Sequence, residues 1–130
     1  MFNSITTSEA NKAVVTDLTN KFALGAENVI ARLAFSYSLA QEVKLELKDL
    51  QDAKGKTYSA KILFGSHLEI NIAMVCQHYQ IHKTDKDIPK YIKLHLDHGL
   101  QEMKGYANSD SLDFLIKAIE NGVENQHSNQ

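Results

Sequence analysis

Residues 3–39 read NSITTSEANKAVVTDLTNKFALGAENVIARLAFSYSL. Ile5 stands between polar neighbours, the alternation of a short strand over residues 3–7. Glu9 follows Thr6 by three, a capping-box spacing that opens a helix. Val14, Val15, Leu18 and Phe22 then form one apolar stripe, and Leu24-Gly25 ends it, because glycine tolerates the left-handed geometry of a helix terminus. A second helix is predicted from Ala26 to Leu39. Val29, Ile30, Leu33, Ala34 and Tyr37 line its inner face, with Phe35 and Leu39 widening it. Apolarity on nearly all sides predicts deep burial or an oligomer interface. Strand, helix, glycine turn and helix is the order of a ribbon-helix-helix unit, whose strands from two chains pair into a ribbon that enters the major groove. A helical bundle with an extended lead-in is the competing reading.

Outward from that unit the signals vary. VKLEL (43–47) alternates like a strand, while LKDLQDAKGK (47–56) could form a helical turn ending at Gly55. Beyond Phe64-Gly65, Ser66 and Glu69 have capping-box spacing, and Leu68, Ile72, Val75 and Tyr79 follow as a stripe. HKTDKD (82–87) reads as a linker. Pro89 sits near a helix start, where its missing N–H does no harm, and Ile88, Ile92, Leu96, Leu100 and Met103 run along that helix to Gly105. A last helix over residues 112–123 precedes a polar tail. The expected fold is mainly α: a ribbon-helix-helix-like N-terminal unit followed by about three more helices. All 130 residues form one domain, with residues 105–130 as an acidic C-terminal helix and tail.

The totals exclude several classes of protein. A chain of 130 residues buries enough surface for one core without covalent staples. Its single cysteine, Cys76, has no partner for an intrachain disulfide. No charged start followed by an apolar run marks a secretory leader, and no apolar stretch reaches membrane-spanning length. The expected location is the cytoplasm. The net charge is −2, but it is unevenly spread. Residues 1–93 carry +2 and residues 94–130 carry −4, while residues 54–93 alone carry +4. A basic face of that kind can hold phosphate despite a negative total, because screening confines each charge to a range of about 8–10 Å.

No phosphate loop, dinucleotide fingerprint or nucleophile elbow is present, and the expectation is a protein that is not an enzyme and needs no cofactor. Cys76, His78 and His82 fall close in sequence, as do His95, Asp97 and His98. His78 and His82 share a helical face suited to a metal, but a thiol two residues from His78 points elsewhere. His95 falls on the inward stripe, so a buried, hydrogen-bonded histidine is the preferred reading and no metal is assigned. Cys76 lies beside the buried stripe of its helix, where free cysteines are usually structural. Asp85 with Asp87, and Asp110 with Asp113, fall at helix starts, where carboxylates favour the positive end of the helix dipole. The lysines are more telling. Lys83, Lys86, Lys90 and Lys93 recur every three or four residues, the last three on one helical face and its approach. Lys54, Lys56 and Lys61 form a second group, of which Lys54 and Lys56 are candidate DNA contacts, with Lys12, Lys21 and Arg32 behind them. Lysine reaches phosphates without preference for base.

LTNKFALGAENVIARLAFSYSL (18–39), GKTYSAKILFG (55–65) and CQHYQIHKTDKDIPKYIKLHLDHGL (76–100) together resemble the DndE family of DNA sulfur-modification proteins. The resemblance covers residues 3–104 and fades over 105–130. Such systems place sulfur on the DNA backbone as a phosphorothioate, using a cysteine desulfurase, an iron–sulfur sulfur-transfer protein and an SMC-like ATPase. The resemblance implies a small helical subunit, homo-oligomeric, with a tetramer as one candidate size. It also implies binding to double-stranded DNA, with nicked duplex as a candidate preference. It supplies no catalytic residue. The expected role is a DNA-binding, non-catalytic accessory subunit. The alternatives are a protein–protein scaffold within the same complex and a metal-responsive ribbon-helix-helix regulator.

Overall fold

The computed structural model describes residues 2–23 and 25–105. The helix expected at 112–123 and the carboxylates Asp110 and Asp113 lie outside the described residues.

The chain opens with strand β1 (Ser4–Thr6), followed by helices α1 (Glu9–Lys21) and α2 (Glu27–Ala40). The strand–helix–helix order is therefore as expected. The ladder partner of β1 lies in the same chain. Strand β2 (Thr57–Ser59) pairs with it antiparallel, with Ile5 opposite Tyr58, and both of these side chains are buried. Helix α3 (Ala60–Phe64) follows β2 directly, and helices α4 (Leu68–Tyr79) and α5 (Ile88–Lys104) complete the described elements.

Segment 43–47 is not a strand. It is largely exposed, and the chain then makes a single 3₁₀ turn at Leu47–Asp49. Alternation alone cannot make a strand without a partner edge. The expected capping boxes are also unused. Ser8 precedes α1, and its backbone N–H donates to Asp97 Oδ1 at 3.0 Å, while Glu9 N–H donates to Asp52 Oδ1 at 2.8 Å. Two carboxylates from distant parts of the chain thus satisfy the free donors at the start of α1. Ser66 lies in a 3₁₀ turn before α4. It is Ser59 that caps a helix, its Oγ accepting Ile62 N–H at 3.1 Å at the start of α3.

The core forms where α2 and α5 cross. Ile30, Ala34, Phe35 and Leu39 of α2 meet Ile92, Leu96, Leu100 and Met103 of α5, all but Leu39 at 0% exposure. Deep burial is thus the outcome of α2's all-round apolarity. Gly99 sets how closely the helices approach, since a Cβ there would lie 1.9 Å from Ala34 O. Val14, Val15 and Leu18 of α1 close one side, and Phe64 of α3 meets Phe35 edge-on at 5.0 Å between ring centroids.

Candidate nucleic-acid interface

Lys93 organises one flank of α5. Its Nζ donates to Thr6 O, Asp52 O and Asp97 Oδ2, at 2.8, 2.8 and 2.9 Å. An ammonium has three protons, so each finds a partner. The side chain is only 13% exposed, against 5% for Asp97. Asp97 also accepts Ser8 N–H and Asn11 Nδ2, the latter at 2.8 Å, so this carboxylate ties α5 to the start of α1. Lys93 was expected at the DNA contact, but its donors are committed to the fold, and it acts as a clip. Through it, the loop carrying Lys54 and Lys56 is fastened to α5 at Lys93, one turn beyond Lys90, while Lys86 lies in the turn before the helix begins.

The remaining predicted contacts differ in freedom. Lys83, Lys86 and Lys54 are exposed, and none is ion-paired among the described residues. Lys90 is exposed but bonded to Asp87 at 3.4 Å. Lys56 pairs with Glu27 at 3.3 Å and is half-buried. Lys12 and Lys21 are exposed on α1. Arg32 holds the end of α3, with Nε donating to Leu63 O at 2.6 Å and Nη2 to Ile62 O at 3.2 Å. Sequence reading missed the role of Asp52, and it grouped Asp97 with His95 and His98 instead of with Lys93. The Lys93–Asp97 spacing of four was the available signal. Asp52 had none, because its role depends on where the 52–56 loop lands. Its carboxyl is held below the usual range, first by the Glu9 N–H.

The histidines take structural positions. His95 is fully buried between Ser38 Oγ (2.8 Å from Nδ1) and Tyr79 Oη (2.7 Å from Nε2). Ser38 Oγ also meets His98 Nδ1 at 2.8 Å, and Tyr79 Oη accepts Leu45 N–H at 3.0 Å. One proton assignment satisfies the whole row. Tyr79 donates to His95 Nε2, His95 Nδ1–H donates to Ser38, and Ser38 donates to His98. Burial, and then the nearby His78 and His98, push His95 down to about 3. His78 Nε2 bonds Val43 O at 2.9 Å, and His82 Nδ1 bonds Thr84 Oγ1 at 2.8 Å. Among the described residues no three histidine, cysteine or acidic side chains gather to hold a metal ion. No described helix is long and apolar enough to cross a membrane.

The family model described as "DNA sulphur modification protein DndE" matches residues 4–111. The chain belongs to the DndE family. Among solved structures it is similar to DndE from Escherichia coli B7A, described as involved in DNA phosphorothioation modification. The TM-score is 0.63 and the identity 18%, over 79% of this chain and 98% of that one. A glycine-to-lysine mutant of DndE, likewise described as involved in DNA phosphorothioation, gives 0.64 and 19% over the same shares. At these identities the likeness establishes a shared fold. No curated protein matches the chain. The DndE family takes part in DNA phosphorothioation.

Proposed function

We propose that this chain is a non-catalytic accessory subunit of the DNA phosphorothioation machinery that binds double-stranded DNA through its lysines. The observation that carries the reading is the flank of α5. There the Lys93 clip fastens the loop that carries Lys54 to α5, while Lys83 and Lys86 stand exposed on the approach to that helix and Lys90 on its first turn. Cations on a fastened loop and a rigid helix keep their spacing, which suits successive backbone phosphates better than it suits any small substrate. One flank supplies few charges. Association of identical copies, a tetramer being one candidate, would repeat it and turn weak contacts into a usable affinity. Partners in this reading are the duplex, with nicked DNA as a preferred form, and the SMC-like ATPase and sulfur-transfer proteins of the same system. A cytoplasmic location follows from those partners.

The test is a fluorescence-anisotropy titration of intact and nicked duplex with the wild type and the Lys83→Ala/Lys86→Ala variant. The wild type is expected to bind both, and the variant to bind both more weakly by a similar factor, since phosphate contacts ignore sequence. Equal affinity of wild type and variant would remove these two lysines from the interface. Absence of binding with the oligomer intact would remove the reading altogether.

A further inference from the structure

A row of polar side chains runs through the core from α4 to α5: Tyr79, His95, Ser38, His98 and Glu102. His98 Nε2 lies 3.4 Å from Glu102 Oε1, at the outer end of the hydrogen bonds described above. Ser38 and His95 in the middle are fully buried, so neither meets a substrate. Tyr79 and His98 at the two ends are partly exposed.

The row has a direction. Glu102 accepts, which places a proton on His98 Nε2 and leaves Nδ1 to accept from Ser38. His95 then donates from Nδ1, and Tyr79 donates to His95 Nε2. The opposite direction needs one proton more. A His98 with both nitrogens protonated donates from Nδ1 to Ser38. Ser38 then donates to His95 Nδ1, and His95 donates from Nε2 to Tyr79. Each proton moves by one link. That of Tyr79 passes to His95 Nε2, that of His95 Nδ1 to Ser38 Oγ, and that of Ser38 to His98 Nδ1. A proton from water replaces the one Tyr79 gave up. His95 changes tautomer and stays neutral, since its burial holds its own pKa at about 3.

Histidine is the side chain that ordinarily gains charge between about pH 5 and 8. Besides Glu102, Asp49 of the 3₁₀ turn and Asp97 line a hollow of about 160 Å³ beside His98, and Lys93 holds Asp97. On the α4 side, His78 meets His95 edge-on at 5.3 Å and donates its own Nε2–H to Val43 O, while Tyr91 stacks on Tyr79 at 3.9 Å. Tyr79 Oη is also what holds Leu45 N–H, at 3.0 Å, in the largely exposed segment 43–47.

We propose that uptake of a proton by His98 reverses this row, and that the reversal loosens the hold of Tyr79 on Leu45. While Tyr79 donates to His95, its oxygen is polarised into a better acceptor for Leu45 N–H. After reversal that oxygen is shared by two N–H donors, and the Tyr79 proton has lost His95 as its acceptor. A proton taken up on α5 is thereby felt across the core, at segment 43–47. No DNA is involved, so the proposal stands apart from the function argued above.

The experiment records long-range proton–nitrogen spectra of the full chain, labelled with ¹⁵N-histidine, between about pH 8 and 5. In the wild type, His95 is expected to carry its proton on Nδ1 at the upper limit and on Nε2 at the lower, with the midpoint of His98. His98→Gln, which does not titrate, is expected to hold His95 in one form throughout. Ser38→Ala is expected to do the same while His98 still titrates, and it decides alone should His98→Gln misfold. Hydrogen exchange, corrected for the intrinsic effect of pH, should show the Leu45 amide losing protection about threefold over the same range in the wild type and not in the variants. A His95 that keeps its Nδ1 proton while His98 titrates overturns the proposal. So does a reversal that persists in the variants, which would trace it to His78. Protection of Leu45 that ignores the reversal overturns the coupling to segment 43–47.

Discussion

Lys93 and Lys83 differ little in a sequence, and the structure separates them by what surrounds the ammonium. Lys93 meets a carboxylate and two carbonyls and is nearly buried, whereas Lys83 faces solvent. Removing one partner of a buried ion pair leaves the other charge uncompensated, so Lys93→Ala is expected to cost about 3–5 kcal/mol. Lys83→Ala should stay within about 0.5 kcal/mol of the wild type. Urea denaturation of both variants checks the contrast. Counting charges could not reveal it, because a tally of lysines carries no information about the 52–56 loop that closes over one of them. His95 was more legible, since its place on the Ile88–Ile92 stripe pointed inward from the start. Its burial also has a pH signature. In the folded chain the ring stays neutral down to about 3, whereas in the unfolded chain it takes a proton near 6.5. The unfolded state therefore binds more protons in that window, and stability must fall as pH drops through it. The slope from this group approaches about 1.4 kcal/mol per pH unit. His95→Gln is expected to flatten the acid side of a plot of urea midpoint against pH, and an unchanged slope would contradict the assignment.

At the scale of elements, the crossing of α2 and α5 is the most exacting contact. A methyl group at position 99 has no room beside the Ala34 carbonyl. Gly99→Ala is expected to destabilise the fold by about 1–3 kcal/mol or more, read as a lowered thermal midpoint. α5 itself was plain in the sequence. Ile88, Ile92, Leu96, Leu100 and Met103 repeat at helical spacing, and all five are buried. β2 was invisible for an equally physical reason. Three residues are too few to show alternation, and the strand exists because β1, more than fifty residues earlier, offers an edge in register. The start of α1 was placed within three residues, but its capping was not foreseen. Asp52 and Asp97 do what a local Thr6–Glu9 box was expected to do, and a carboxylate arriving from another element leaves no mark in local sequence.

On the scale of the whole molecule, the fold is a helical frame that fastens a lysine-bearing loop to a lysine-bearing helix and leaves the outer ammonium groups in water. The total charge of −2 conceals this, because residues 106–130, with four carboxylates against one lysine, outweigh the net +1 of residues 1–105. The account's central claim is that this flank neutralises backbone phosphates. The measurement that tests it most directly is the affinity for duplex DNA across a series of salt concentrations, for the wild type and for Lys83→Ala/Lys86→Ala. The logarithm of affinity should fall linearly with the logarithm of salt, by about 0.9 for each phosphate neutralised, and the variant's slope should be shallower by about 1.8 for each copy bound with both lysines engaged. A wild-type affinity that does not change with salt, or a variant with the wild-type slope, would contradict it.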